Sequence, residues 1–139
     1  MTEREIQMSS PARPAVARAA ELLHAGDADP AHLLGFFDGE TVFQMANDSP
    51  VTGRAAIERW MGEYLRGISG VSHELLETWE QDDSIVTLVE VTYTGQSGGQ
   101  VRLPAMTLMR FSGEYLAEYR IFMDPSPVRK LSGAFSNDS

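Results

Sequence analysis

Cysteine is absent from these 139 residues, and two other residue types that carry covalent or metal chemistry are scarce: lysine occurs once, at position 130, and histidine three times. Without thiols there are no disulfides, cysteine nucleophiles, iron–sulfur clusters or cysteine-type zinc sites. A Schiff-base lysine would have to be Lys130, in a polar C-terminal stretch. His24, His32 and His73 are well separated. A three-histidine metal site is therefore an uneconomical reading, and neither metal nor cofactor is expected. No run of about 18 apolar residues occurs, and the opening MTEREIQMSSPARP holds no apolar core of signal-peptide length. A cytoplasmic chain that does not enter a membrane is expected. With 20 acids against 11 bases, the formal charge of −9 at pH 7 argues against nucleic acid and anionic membranes as partners, since both need a basic face.

What is present is ordinary: 42% hydrophobic and 22% charged residues, in a length that suits one domain. Residues 1–13 are polar and read as a flexible N-terminal arm. From Pro14 to His24 the run PAVARAAELLH is an alanine-rich helix with Val16, Ala19, Ala20 and Leu23 on one face, ended by Ala25-Gly26-Asp27. Asp29-Pro30 starts a second, short helix whose apolar side is Leu33, Leu34, Phe36 and Phe37. Residues 40–46 read as a strand. In the loop NDSPVTG, residues Asn47, Asp48 and Ser49 are expected to turn the chain and cap a third helix. That helix runs from Arg54 to about Arg66, with Ile57, Trp60, Met61, Tyr64 and Leu65 in one stripe.

Beyond Gly70 the period changes to two. Four strands are predicted, 71–80, 84–94, 100–111 and 114–124, joined by the hairpin-length connections QDD, GQSGG and SG. Residues 125–139, with Pro125 and Pro127, are read as an irregular tail. Helices first and antiparallel strands last predict one α+β domain over 14–124: a curved antiparallel sheet with three N-terminal helices on one face, enclosing a pocket.

The segments LLHAGDADPAHLLGFF, TVFQMANDSPVTGRAAIERWM and VTYT…LPAMTLMRFSGEYLAEYRIFMD resemble, in order and spacing, the NTF2-like superfamily. This is the cone-shaped α+β fold shared by SnoaL-like polyketide cyclases, ketosteroid isomerases and limonene epoxide hydrolases. The scaffold hosts several chemistries, so the resemblance alone does not name one. By ungapped matching, the tyrosine and two aspartates that ketosteroid isomerases use are replaced by Ala19, Gln44 and Thr107. The Asp–Arg–Asp set of the epoxide hydrolases corresponds to Thr92, Glu90 and Ile121, and Phe43 and Met45 replace the residues that hold the water. Both sets are missing.

Glu90 draws attention because it is the one charge in IVTLVEVTY. In the epoxide-hydrolase register Leu88, Glu90, Thr92 and Thr94 face the cavity, while Val89, Val91 and Tyr93 face outward towards a partner subunit. A carboxylate on an apolar wall suits general acid or base work, because desolvation disfavours its charged form. The bland alternative pairs Glu90 with Arg102 or Arg110 on the next strand. His73, in VSHELLETWE, is the histidine on a predicted strand and could share a relay with Glu90, although a lone strand histidine is more often structural. HELLE lacks the second histidine of a zincin, and GQSGG joins two strands, so it is a turn and not a nucleophile elbow. Asp124, before Pro125, reads as a turn residue.

Substrate contacts are expected from Phe43, Met45, Trp60, Tyr64, Thr92, Thr107, Tyr119 and Ile121, with Tyr64 and Tyr119 as hydroxyl donors. The leading expectation is a cofactor-independent enzyme performing cyclisation, isomerisation, dehydration or epoxide opening on a hydrophobic polyketide- or terpenoid-like molecule. Glu90 and His73 would be its catalytic residues. Two alternatives stay open: a non-catalytic protein that binds a ligand or partner, and an enzyme steering cyclisation by shape and neutral hydrogen bonds from Thr92, Thr107 and Gln44. A homodimer is expected, to cover an apolar sheet face.

Overall fold

The structure, a computed structural model, describes residues 14–131; the expected N-terminal arm lies outside them. Helix α1 spans Pro14–Ala28 and buries Ala19, Leu22 and Leu23. Asp29 ends it in an extended conformation, and its carboxylate accepts the N–H of Ala31, capping a 3-10 helix over Pro30–Phe36. The three-residue period of that helix turns Leu34 and the following Phe37 inward together.

Strand β1 (Phe37–Met45) alternates, with Thr41, Phe43 and Met45 buried, and hairpins to the two-residue strand β2 (Val51–Thr52). Gly53 then starts helix α2 (Arg54–Tyr64) at φ 95°, where a Cβ would also lie 3.2 Å from the Gly39 carbonyl oxygen. Glycine is required there on both counts. The N–H of Ile57 caps back onto the Gly53 carbonyl, so the helix start uses backbone and not the expected Asp48. Ile57, Met61 and Tyr64, at i, i+4 and i+7, form its buried stripe.

Four long strands follow: β3 (Ile68–Gln81), β4 (Ser84–Gly95), β5 (Gln100–Ser112) and β6 (Tyr115–Phe122). The sheet order is β2-β1-β6-β5-β4-β3. Every neighbouring pair is antiparallel except β1–β6, which is parallel because the last strand returns to lie beside the first. One residue bulges out of β3 between Leu75 and Glu77 and another out of β6 between Leu116 and Glu118, and each bends its strand. The sheet is curved and unclosed, and α1, the 3-10 helix and α2 lie against one face, with the core between.

Two expectations are corrected. On β4 the buried face holds Ile85, Thr87, Val89, Val91 and Tyr93, while Leu88, Glu90, Thr92 and Thr94 lie on the outer face. This is the inverse of the epoxide-hydrolase register, and a one-residue change of facing moves every side chain across the sheet. The tail is also not irregular throughout: Ser126–Leu131 forms helix α3, capped by the Asp124 carboxylate and seated through fully buried Val128. Among the described residues no helix is long and apolar enough to cross a membrane.

Candidate active site

Between helices and sheet lies a cavity of about 70 Å³. Its walls are mostly apolar: Leu22 and Leu23 from α1, Leu33 from the 3-10 helix, and Phe43 and Met45 from β1. Trp60, Met61 and Tyr64 come from α2, Val71 and His73 from β3, Tyr93 from β4, and Tyr119 and Ile121 from β6. Aromatic contacts stiffen one side. Trp60 stacks on Tyr64 with ring centroids 4.8 Å apart, and Phe43 packs on Trp60 at 4.9 Å and on Tyr119 at 5.6 Å.

The polar groups are few. His73 sits on the free edge of β3, beside the C-terminal turn of α1. Its Nδ1 lies 2.6 Å from Oδ1 of Asp27, and its backbone N–H donates to Oδ2 of the same carboxylate at 3.2 Å. One carboxylate therefore satisfies an edge-strand N–H and fixes the imidazole above it. With Asp27 ionised, Nδ1 carries the ring proton and Nε2 is left as the acceptor. Both side chains are largely shielded, at 18% exposure for His73 and 25% for Asp27. His24, exposed on α1, approaches Asp27 from the solvent side at 4.0 Å.

Besides the indole N–H of Trp60, the other polar groups are three phenols. Tyr64 donates to the Tyr93 hydroxyl at 3.4 Å, while the Tyr119 hydroxyl has no hydrogen-bond partner among the described residues. Burial pushes all three phenols up from their ordinary range, with the neighbouring Tyr93 adding to the effect at Tyr64 and Tyr119. At Tyr64 this outweighs Arg129, whose guanidinium lies 5.5 Å from the ring centroid and pairs with Asp48 at 2.6 Å. The phenols are neutral hydrogen-bond donors, not bases.

Of the residues expected from sequence, Phe43, Met45, Trp60, Tyr64, His73, Tyr119 and Ile121 come together around this cavity. Three do not. Glu90 lies on the outer face, its Oε1 2.9 Å from Nε of Arg102, which also bonds Glu74 at 2.8 Å. That is the bland pairing, and Glu90 cannot relay to His73 across the sheet. Thr92 shares the outer face. Thr107 is buried on the inner face, but its hydroxyl is held 2.6 Å from that of Thr87 and it does not line the cavity. Gln44 is tied to the Asp48 carbonyl. Asp27 carries no local sequence signal, since it reads as a helix end 46 residues from His73, and Tyr93 faces inward where the epoxide-hydrolase register turns it outward. Among the described residues no group of three or more His, Cys, Asp or Glu could hold a metal ion.

Residues 16–119 match the family model described as SnoaL-like domain. No curated protein matches the sequence. Solved structures resemble the whole domain. One is a protein described as a SnoaL-like polyketide cyclase from Shewanella denitrificans OS-217, with TM-score 0.73 and 14% identity, covering 88% of this chain and 98% of that one. Another is an NTF2-like protein of unknown function from Burkholderia pseudomallei K96243, with TM-score 0.72 and 14% identity over 84% and 95% of the two chains. A third, from Catenulispora acidiphila DSM 44928, has a ketosteroid isomerase-like fold and was solved in complex with trimethylamine. Its TM-score is 0.66, with 21% identity over 81% and 92% of the chains.

Proposed function

Starting from the fact that the chain belongs to the SnoaL-like domain family, we propose that it is a cofactor-independent enzyme that moves a proton on a small, uncharged, largely apolar molecule. The observation that carries this reading is the Asp27–His73 pair, 2.6 Å apart at the wall of an apolar cavity. His73 is the general base, then the general acid. Asp27 holds Nδ1–H, fixes the tautomer that leaves Nε2 free, and stabilises the imidazolium formed when Nε2 takes a proton. The same imidazolium returns the proton elsewhere on the molecule. Isomerisation, cyclisation and dehydration all consist of such a removal and return. The apolar walls keep bulk water from the exchange and strengthen the Asp27–imidazolium attraction.

Cavity size narrows the substrate. At about 70 Å³ it is smaller than an engineered cavity of roughly 150 Å³ that admits benzene. Even a single five- or six-membered ring therefore requires the flexible side chains of Met45 and Met61 to swing aside, and a bulky polyketide-like substrate requires them to swing further. Deuterium uptake at acidic C–H positions of small ketones in D2O, followed by proton NMR, tests the reading without knowledge of the natural substrate. The wild type is expected to speed exchange of cyclopentanone, and His73→Asn to lose about 100-fold of that acceleration. Equal exchange by wild type and variant would refute the assignment and leave a non-catalytic ligand-binding protein, the reading that the missing isomerase and hydrolase sets favour.

We also propose that the outer sheet face pairs with a second copy of the chain. Trp79 and Phe122 are each 47% exposed there, beside Met106 and the partly exposed Val86, Leu88 and Leu108. The residues expected from sequence to form this surface, Val89, Val91 and Tyr93, are buried under the helices.

A further inference from the structure

We infer that the cavity selects molecules bearing a neutral hydrogen-bond-accepting oxygen, a carbonyl above all, and that the Tyr119 and Tyr93 hydroxyls bind that oxygen. The inference rests on the cavity being the substrate site, and it names what is recognised there. It starts from an accounting of protons. Tyr119 is 4% exposed and Tyr93 6% exposed, and both line the cavity. Each phenol is one donor, and burial keeps each protonated. Tyr64 gives its proton to Tyr93, so Tyr93 is served as an acceptor but still has a proton to donate. Tyr119 has neither a donor nor an acceptor among the described residues. Two donors on largely buried rings thus line one cavity, and neither proton is given to a partner among the described residues.

A buried donor without an acceptor is costly, and an apolar residue of the same shape, phenylalanine, would avoid that cost. The arrangement suits a ligand that supplies the acceptor. Its charge is limited as well. Arg129 lies 5.5 Å from the Tyr64 ring centroid and is paired with Asp48, and Asp27 contributes negative charge at the His73 wall. A carboxylate or phosphate would lose its hydration without gaining a cation. A neutral carbonyl loses little and gains two O–H donors. The sequence expectation of Tyr64 and Tyr119 as the donors is thereby changed to Tyr93 and Tyr119, because the Tyr64 proton is already committed.

The test uses three five-membered-ring probes of similar shape: cyclopentanone, methylenecyclopentane and cyclopentanecarboxylate. Each is titrated against the full chain while the methyl signals of Met45 and Met61, which line the cavity, are followed by NMR. Tyr119→Phe is expected to weaken cyclopentanone binding about five- to tenfold, the worth of a neutral hydrogen bond, and to change methylenecyclopentane binding by less than about twofold. Tyr93→Phe is expected to act in the same direction. Unchanged hydrocarbon binding shows that the variants remain folded. The carboxylate is expected to shift neither signal. Equal losses for ketone and hydrocarbon, no loss for either, tight carboxylate binding, or no ketone binding at all would each overturn the inference. His73→Asn is expected to keep the ketone preference, since the imidazole is not one of these donors. Ketone preference in a wild type that does not exchange deuterium would sink the catalytic reading alone, and exchange without the preference would sink this one alone.

Discussion

Three of the four tyrosines are held as neutral phenols, and this has a consequence that can be read from pH alone. In the unfolded chain a phenol ionises near pH 10. In the fold, burial raises Tyr64, Tyr93 and Tyr119 above that value. Below pH 10 both states keep the proton and nothing changes. Above it the unfolded state loses protons that the folded state retains, so stability falls as pH rises, by roughly 1.4 kcal/mol per phenol per pH unit. Denaturant midpoints measured from pH 8 to 11 are expected to hold level and then drop, with tyrosinate absorbance from these residues appearing together with unfolding. A gradual rise in that absorbance without loss of structure would show that the phenols are wet. Single residues were the hardest part of the site to read from sequence. Glu90 was conspicuous as the one charge of its strand, yet its neighbours Val86, Leu88, Val89 and Val91 are apolar on both faces, so local pattern could not say which way it pointed. Asp27 was inconspicuous because a helix-end acid is usually a cap, and nothing local links it to a histidine on a strand 46 residues later.

At the level of elements, the strands from β3 onward were legible to within a few residues, since a long period-two alternation has no competing explanation. What escaped was set by partners at a distance. Strand β2 has two residues and exists because β1 is beside it. Helix α3 has six residues, too few to persist alone. It is held by Val128, by the Arg129–Asp48 pair, and by Leu131 lying against Gly95 and Gly99, where a Cβ would come within 3.2 Å of its side chain. The glycines of GQSGG therefore seat a helix as well as turn a hairpin. Between β4 and β5, Thr87 and Thr107 exchange one hydrogen bond in a buried, otherwise apolar layer. Thr107→Val is expected to strand the Thr87 hydroxyl and cost about 1–3 kcal/mol, whereas Thr87→Val with Thr107→Val removes both polar groups and is expected to recover most of that loss. Chemical denaturation of the three variants against wild type gives the cycle. Equal losses for single and double variants would mean that the pair is not coupled.

For the molecule as a whole, the inner face of the sheet is used up by helices and cavity, and the outer face is left with both apolar surface and an uneven distribution of charge. The cross-strand rows Glu77–Leu88–Met106–Phe122 and Trp79–Val86–Leu108–Arg120 run across its middle. Towards one corner lie Glu74, Glu77 and Glu90 with Arg102 among them. Towards the opposite corner lie Arg110 and Arg120 with Glu118. The first corner gathers three carboxylates around one guanidinium, and the second presents two guanidiniums, with Asp82 beside Arg110 at its rim. A two-fold axis lying in the plane of contact can lay the acidic corner of one copy over the basic corner of the other while the apolar rows meet in the centre, which is the self-complementarity an isologous dimer requires. Light scattering of the full chain is expected to give twice the monomer mass. Leu88→Arg, at the centre of the apolar rows and away from the cavity, is expected to give the monomer mass while leaving cyclopentanone binding within about twofold, because it faces away from Tyr93 and Tyr119. Raised salt is expected to weaken the dimer only modestly, since screening acts on the corners and not on the apolar centre. A monomeric wild type at micromolar concentration, or a Leu88→Arg variant that stays dimeric, would show that a different surface, or none, joins the copies.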